Sequence, residues 1–315
     1  MEKTMLIPRP FYELGNEEIE KKRIIGQIET YVFKFLSNEF VENGFQWIMP
    51  VIFSKATDPL WPDPGASIEK RIEAEIYGTS VKVMQSMIVH KIVTCSILYD
   101  KLFTFSPNIR IEKKERALTG LHAYEFTQLD FEIRDASSND IMKFVEYVLY
   151  KLKKNIEKDF EGSIQNDSFF DMVRPPWKVY DMEDLKNEYG NDWEKIVEKF
   201  DEPIWVVNIP REFYDYEDFD TGRWDNYDLY LPGLGEVLSG AKREFTYLKM
   251  KEKILRDGLN ENNFKIILEL AKDRRILPCA GAGIGIERLL KWITNVDHIG
   301  MVQLFPRIPG IVYDL

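Results

Sequence analysis

The order in which helical and strand-like segments follow one another is the strongest constraint this sequence places on its fold. From Asn16 to Asn43 the apolar residues Ile19, Ile24, Ile28, Val32, Phe35, Leu36 and Phe40 recur at helical spacing with charges between them. That spacing predicts one long amphipathic helix, closed by Asn43-Gly44. A second long helix is predicted over 139–160, with Asn139 as its capping residue. The strand-like runs arrive in pairs: Glu75–Tyr77 with Val81–Gln85, Leu102–Glu112 with Tyr124–Arg134, and Trp224–Leu231 with Gly235–Leu238 about the turn Pro232-Gly233. Paired strands close as hairpins, whereas a parallel sheet needs a helix between successive strands. The expectation is therefore an α+β fold, a largely antiparallel sheet flanked by helices.

Shorter segments complete the pattern. Phe45–Phe53 is an apolar run with a proline, suited to an edge or an interface. Thr57–Ser67 is crowded with turn formers and reads as a loop. Ser86 is placed to cap a helix reaching Leu98, 203–208 reads as a buried strand, and helices are expected over 243–256, 262–273 and 285–294. At 315 residues, 44% of them hydrophobic, the chain can bury a large core, and no shift in composition divides it, so residues 1–315 are taken as a single domain.

Charge and cysteine content narrow the setting. With 42 Lys+Arg against 53 Asp+Glu the formal charge is −11, a field that repels polyanions and argues against a dedicated nucleic-acid binder. The cysteines, Cys95 and Cys279, form neither a disulfide framework nor a metal-ligand spacing, which points to a reducing cytosol. Apolar runs such as the one around Ile92–Leu98 fall short of a membrane span, and the expected location is cytoplasmic, with no membrane partner.

Three polar clusters can carry chemistry. In the first, Arg110 and Glu112 end one strand and Glu125, Phe126 and Asp130 begin its partner, so one hairpin presents a cation, carboxylates and an aromatic plate, with Lys113, Lys114, Arg116 and His122 in the loop. The second, Asp228–Arg243, offers Asp228, Glu236 and Ser239 as hard oxygen donors of the kind Mg²⁺ accepts, and Arg243 as a bidentate partner for a carboxylate. In the third, Gly281–Arg288, glycines let backbone approach a flat or charged ligand, and Arg288 can stack on a base and meet phosphate. Without a strand–helix–strand unit around it, that glycine run is not a dinucleotide fingerprint.

In chain order, these clusters resemble the signature regions of class II aminoacyl-tRNA synthetases. The helix ending Glu42-Asn43-Gly44-Phe45 with Pro50 after it looks like motif 1, the dimer-interface element; Arg110–Asp130 looks like motif 2 and Gly281–Arg288 like motif 3. The runs Glu125–Asp130, Asp228–Arg243 and Leu304–Arg307 are most similar to the aspartyl/asparaginyl branch. Gln85, Ser86 and Lys91 match that branch's substrate-binding pattern, while Met87 and Ile88 depart from it.

The resemblance implies roles for each matched residue. Arg110 would grip the α-phosphate of ATP, Phe126 and Arg288 would sandwich the adenine, His122 would help hold the triphosphate, and Glu112, Glu125 and Glu236 would belong to the same nucleotide site. Arg110, Arg288 and Lys91 would act as catalytic cations. Mg²⁺ would sit on Glu236, Ser239 and Asp228, while Gln85, Ser86, Lys91, Asp130 and Arg243 would bind aspartate, with Asp130 on its ammonium group.

The relatives of that branch also carry an anticodon-binding barrel, for which there is no room before a helix that starts within the first twenty residues. From this, from the −11 charge and from the resemblance to archaeal asparagine synthetases related to the asparaginyl enzymes, the expected activity is an ATP-dependent asparagine synthetase. Aspartate would bind reversed, its β-carboxylate would be adenylated, and ammonia would displace AMP, with no tRNA as partner. Asp58 and Glu75 are the candidates for handling ammonium, and Thr57–Ser67 for a lid over the adenylate. The alternative is a free-standing aspartyl/asparaginyl-tRNA synthetase paralogue that aminoacylates tRNA or another acceptor.

Overall fold

A computed structural model describes residues 6–58, 68–160, 162–164 and 166–315. Most of the predicted lid loop therefore lies outside the described residues. The expected α+β architecture is present. Its centre is an eight-stranded sheet whose strands are, in chain order, β1 (Gln46–Trp47), β2 (Lys101–Ile109), β3 (Glu125–Arg134), β4 (Lys178–Asp181), β5 (Ile204–Val207), β6 (Asn226–Leu231), β7 (Gly235–Lys242) and β8 (Cys279–Gly285). Across the sheet they run β1-β2-β3-β8-β7-β6-β5-β4. The six central strands pair antiparallel, and only the edge pairs, β1 with β2 and β4 with β5, are parallel.

Helices cover both faces, because alternate residues of the strands are apolar on each. On one face Phe103, Leu129 and Phe131 pack with Ile28, Val32, Leu36 and Phe40 of α1 (Asn16–Glu42) and with Val145, Leu149 and Leu152 of the long helix over residues 138–159. On the other, Leu102 and Cys279 pack under Ile88, Ile92 and Cys95 of α2 (Ile88–Ile97) and under Met250, Ile254 and Ile267 from two C-terminal helices. The long helix from Ser138 to Asp159 becomes α3 and the one from Ile286 to Thr294 becomes α4.

Boundaries differ from the sequence expectation where side chains found other partners. The cap of α3 is Ser137, whose hydroxyl accepts from Asp140 N while the Asp140 carboxylate returns to Ser137 N; Asn139 lies inside the helix. At α2 the cap position is Met87, and Ser86 just before it still accepts from Ile88 N at 3.3 Å while lining the site. The C-terminal helix expected from Arg243 starts at Tyr247, because Arg243 extends the sheet by a bridge to Asp215. Of the run Phe45–Phe53, only Gln46–Trp47 pairs into the large sheet, at its edge.

Candidate active site

The polar faces of β3, β7 and β8 form the floor of two adjoining cavities that share Arg110, Gln128, Glu236 and Gly283. Strand alternation explains the division of labour. Leu129 and Phe131 point into the core, so Gln128, Asp130 and Glu132 point to the opposite face, under α2. Opposite them in register stand Gly285, Gly283 and Gly281 of β8. A Cβ at Gly283 would collide with the Gln128 side chain, and one at Gly281 with the backbone of Phe131 and the carboxylate of Glu132. The glycine run thus makes a low floor beneath side chains that cross it.

The first cavity gathers Arg110, Glu112, His122, Phe126, Glu236 and Arg288, six of the seven residues expected at the nucleotide. Arg110 lies in a break between β2 and the short strand Ile111–Glu112, its guanidinium carbon 5.1 Å from the Phe126 ring centroid and its Nε donating to Gln85 O at 3.1 Å. Arg288, in the first turn of α4, donates to Glu236 O at 2.9 Å and lies 3.6 Å from its carboxylate. Burial, together with the positive charges of Arg288, Arg116 and Arg110, pushes the His122 imidazole down to about 3, so it is neutral at physiological pH. Glu125 is the exception. It is exposed, sits 3.8 Å from Arg307, and lines a neighbouring groove with Phe126 and Glu287.

The second cavity, about 260 Å³, brings together Ser86, Lys91, Asp130 and Arg243, four of the five residues expected at aspartate, with Ser239 from the expected Mg²⁺ set and also Asp58, Arg211, Glu212, Tyr214 and Asp215. Its cations are already spoken for. Lys91 donates to Asp130 at 2.8 Å and lies 3.7 Å from Glu132; Arg243 bonds Glu132 at 2.9 Å, Asp215 at 2.7 Å and Gly281 O at 3.0 Å. Burial disfavours the Arg243 charge, but Glu132 and Asp215 outweigh it and hold its pKa well above the ordinary value. Asp130 accepts from Lys91 on one oxygen and from Ser106 at 2.6 Å on the other, so a substrate ammonium would add to a carboxylate already held in place. Gln85 lies behind the wall: its Oε1 accepts from Arg71 while its buried Nε2 has no hydrogen bond, a donor in reserve.

One further expectation needs correction. Glu75 is exposed on the strand Glu73–Ile76, away from both cavities, whereas Asp58 is buried in the second, accepting from Tyr214 Oη at 2.8 Å. The expected Mg²⁺ ligands Asp228 and Ser239 face each other across β6 and β7, but the Arg211 guanidinium bridges them. Among the described residues no group of three or more His, Cys, Asp and Glu side chains is arranged to hold a metal. The set of Asp228, Glu236 and Ser239 nonetheless suits a hard cation, because Asp228 Oδ1 is buried without a hydrogen bond and burial, with Glu236 nearby, raises that carboxyl to about 8.

Sequence reasoning missed Arg211, Glu212 and Asp215. They occupy the connection that follows β5, and burial plus the neighbouring Asp58 pushes Glu212 up to about 7. The available signal was their position: a charged run, Arg211-Glu212, immediately beyond a strand read as buried.

Residues 13–309 match the family described as tRNA synthetases class II (D, K and N). The chain belongs to this family. Among curated relatives, the asparagine–tRNA ligase of Thermoplasma acidophilum is 26% identical over 305 residues, covering 89% of this chain and 68% of the relative. That of Pyrococcus furiosus is 30% identical over 237 residues, 68% of this chain but only 54% of the relative, so the match takes in about half of that protein. In fold, the chain resembles the asparaginyl-tRNA synthetase of Pyrococcus horikoshii complexed with asparaginyl-adenylate, at a TM-score of 0.79 and 24% identity, over 93% of this chain and 70% of the other. The Entamoeba histolytica asparaginyl-tRNA synthetase with the same adenylate gives 0.77 at 20% identity, covering 91% and 67%. The segments 110–130 and 281–288, which resemble motifs 2 and 3, both supply residues to the lining of the first cavity. No helix among the described residues is long and apolar enough to cross a membrane.

Proposed function

We propose that this class II synthetase domain is an ATP-dependent ligase that activates the carboxylate of an aspartate- or asparagine-type amino acid as an adenylate. One observation carries the proposal: a cavity lined by Arg110, His122, Phe126 and Arg288 opens into a second lined by Lys91 and Arg243, with Arg110, Gln128, Glu236 and Gly283 common to both. A nucleotide in the first and an amino acid in the second would meet at Arg110. There a carboxylate oxygen attacks the α-phosphorus and pyrophosphate leaves, with arginines neutralising the developing charge. Mg²⁺ on Asp228, Glu236 and Ser239 would neutralise phosphate charge.

For the acceptor, the relatives' names support the aminoacylation of tRNA, and the expectation that tRNA plays no part has no support among them. Release of asparagine by ammonia is a second reading, favoured by Glu212. Its carboxylate makes no hydrogen bond or ion pair to another side chain among the described residues, faces the amino-acid cavity beside Asp58, and is pushed up to about 7, suited to taking a proton from ammonium. Ammonia would then attack the acyl carbon as AMP leaves. Exposed Trp47 and Met49 near the end of α1 support self-association there as a homodimer.

The test is an assay with ATP, Mg²⁺ and either aspartate or asparagine, first for pyrophosphate–ATP exchange, then with tRNA or ammonium added. Exchange with neither amino acid overturns the adenylation proposal. Aminoacyl-tRNA selects the first acceptor reading. Free asparagine formed only with ammonium, and lost in Glu212→Gln while exchange persists, selects the second.

A further inference from the structure

The Arg211 guanidinium stands where a divalent cation would be bound. Asp228 and Ser239 are direct cross-strand partners on β6 and β7, so their side chains project from the same face of the rigid centre of the sheet. Arg211 reaches them from the connection after β5, with Nη2 on Asp228 Oδ2 and Nη1 on Ser239 Oγ. The match is incomplete. Asp228 is only 2% exposed, yet its Oδ1 receives no hydrogen bond, and Glu236 adds a further negative charge beside it. A monovalent planar guanidinium leaves that oxygen unsatisfied, whereas a small divalent ion takes oxygens from several directions at once. In this same position Arg211 borders the amino-acid cavity with Lys91 and Arg243, so leaving Asp228 and Ser239 would carry it into that space.

From this geometry we propose that Arg211 is a placeholder cation: it occupies Asp228 and Ser239 in the absence of metal, and a divalent ion displaces it into the amino-acid cavity, where its charge joins those that receive the substrate carboxylate. Two cations cannot share the pair of oxygens without strong repulsion, so metal entry and Arg211 departure are one event. The coupling is reciprocal: metal tightens amino-acid binding, and amino acid tightens metal binding by the same factor. The inference rests on the amino-acid activation proposed above, but its first readout needs neither substrate nor activity.

The experiment follows Mn²⁺ binding to the full chain by electron paramagnetic resonance without nucleotide. Arg211→Gln removes the competing charge and should bind Mn²⁺ at least ten-fold more tightly than the wild type. Arg211→Lys, which keeps a cation, should stay within a few-fold of it, and Asp228→Asn in the Arg211→Gln background should abolish the gain. Calorimetry with aspartate should then show an affinity raised by saturating Mn²⁺ in the wild type and unchanged by Mn²⁺ in Arg211→Gln. Equal Mn²⁺ affinity in wild type and Arg211→Gln, or a gain that survives Asp228→Asn, overturns the placeholder role. Should neither aspartate nor asparagine bind any variant, the activation proposal falls while the Mn²⁺ comparison still decides the role of Arg211.

Discussion

Replacing Arg243 with alanine should damage the fold before it reports on substrate. The guanidinium is 3% exposed and holds two carboxylates, Glu132 at 0% and Asp215 at 2% exposure, as well as the Gly281 carbonyl. With Lys91, it offsets the buried carboxylates of Asp130, Glu132 and Asp215. After Arg243→Ala no guanidinium or ammonium bonds the Asp215 carboxylate among the described residues, only Lys91 stays close to Glu132, and Glu132 Oε2 already lacks a hydrogen bond. Breaking one side of a buried ion pair costs about 3–5 kcal/mol, because the remaining charge stays desolvated. For a domain of 315 residues that corresponds to a fall in Tm of about 5–8 °C. Arg243→Lys keeps the charge but not the fork that reaches Glu132 and Asp215 together, so a smaller fall is expected. Thermal unfolding followed by circular dichroism measures both. The double variant Glu132→Gln/Arg243→Ala should recover part of the loss, since it removes one stranded charge. An Arg243→Ala protein melting within 2 °C of the wild type, or no recovery in the double variant, refutes this account of the buried network.

Two further outcomes follow from the site. Gly283→Ala places a methyl group against Gln128 on the floor common to both cavities, so nucleotide and amino-acid affinity should each drop at least ten-fold by calorimetry; loss of only one would show that the floor is not shared. Glu287, whose carboxylate accepts from Thr127 N at 2.9 and 3.0 Å, is pushed up to about 7 by burial. The folded protein therefore binds this proton more tightly than the unfolded chain, so the contribution is complete below about pH 4.5 and fades as pH rises through 7, on the order of 2 kcal/mol. Denaturant midpoints at pH 5 and pH 8 should differ less in Glu287→Gln than in the wild type, and an unchanged difference would rule Glu287 out as the source.

Much of the first cavity was legible because its residues sit in local patterns. Arg110 and Phe126 belong to one hairpin, and Arg288 to the turn after a glycine strand, so neighbours in sequence are neighbours in the site. The capping residues were harder to place. Asn139 and Ser137 are equally good caps in isolation, and the reciprocal bond between Ser137 and Asp140 decides between them. Glu75 and Asp58 look alike as surface acids in a −11 chain, yet one stays in solvent and the other is buried against Tyr214, 156 positions away.

Periodicity, paired strands and glycine spacing alone determined the α+β architecture, since these patterns depend on contacts between near neighbours along the chain. The second cavity was decided by tertiary structure. Lys91 meets Asp130 across 39 positions, Arg211 meets Ser239 across 28, and Arg243 meets Glu132 across 111. No local preference encodes such pairs, because a buried charge is tolerable only once the sheet has brought its counter-charge within reach.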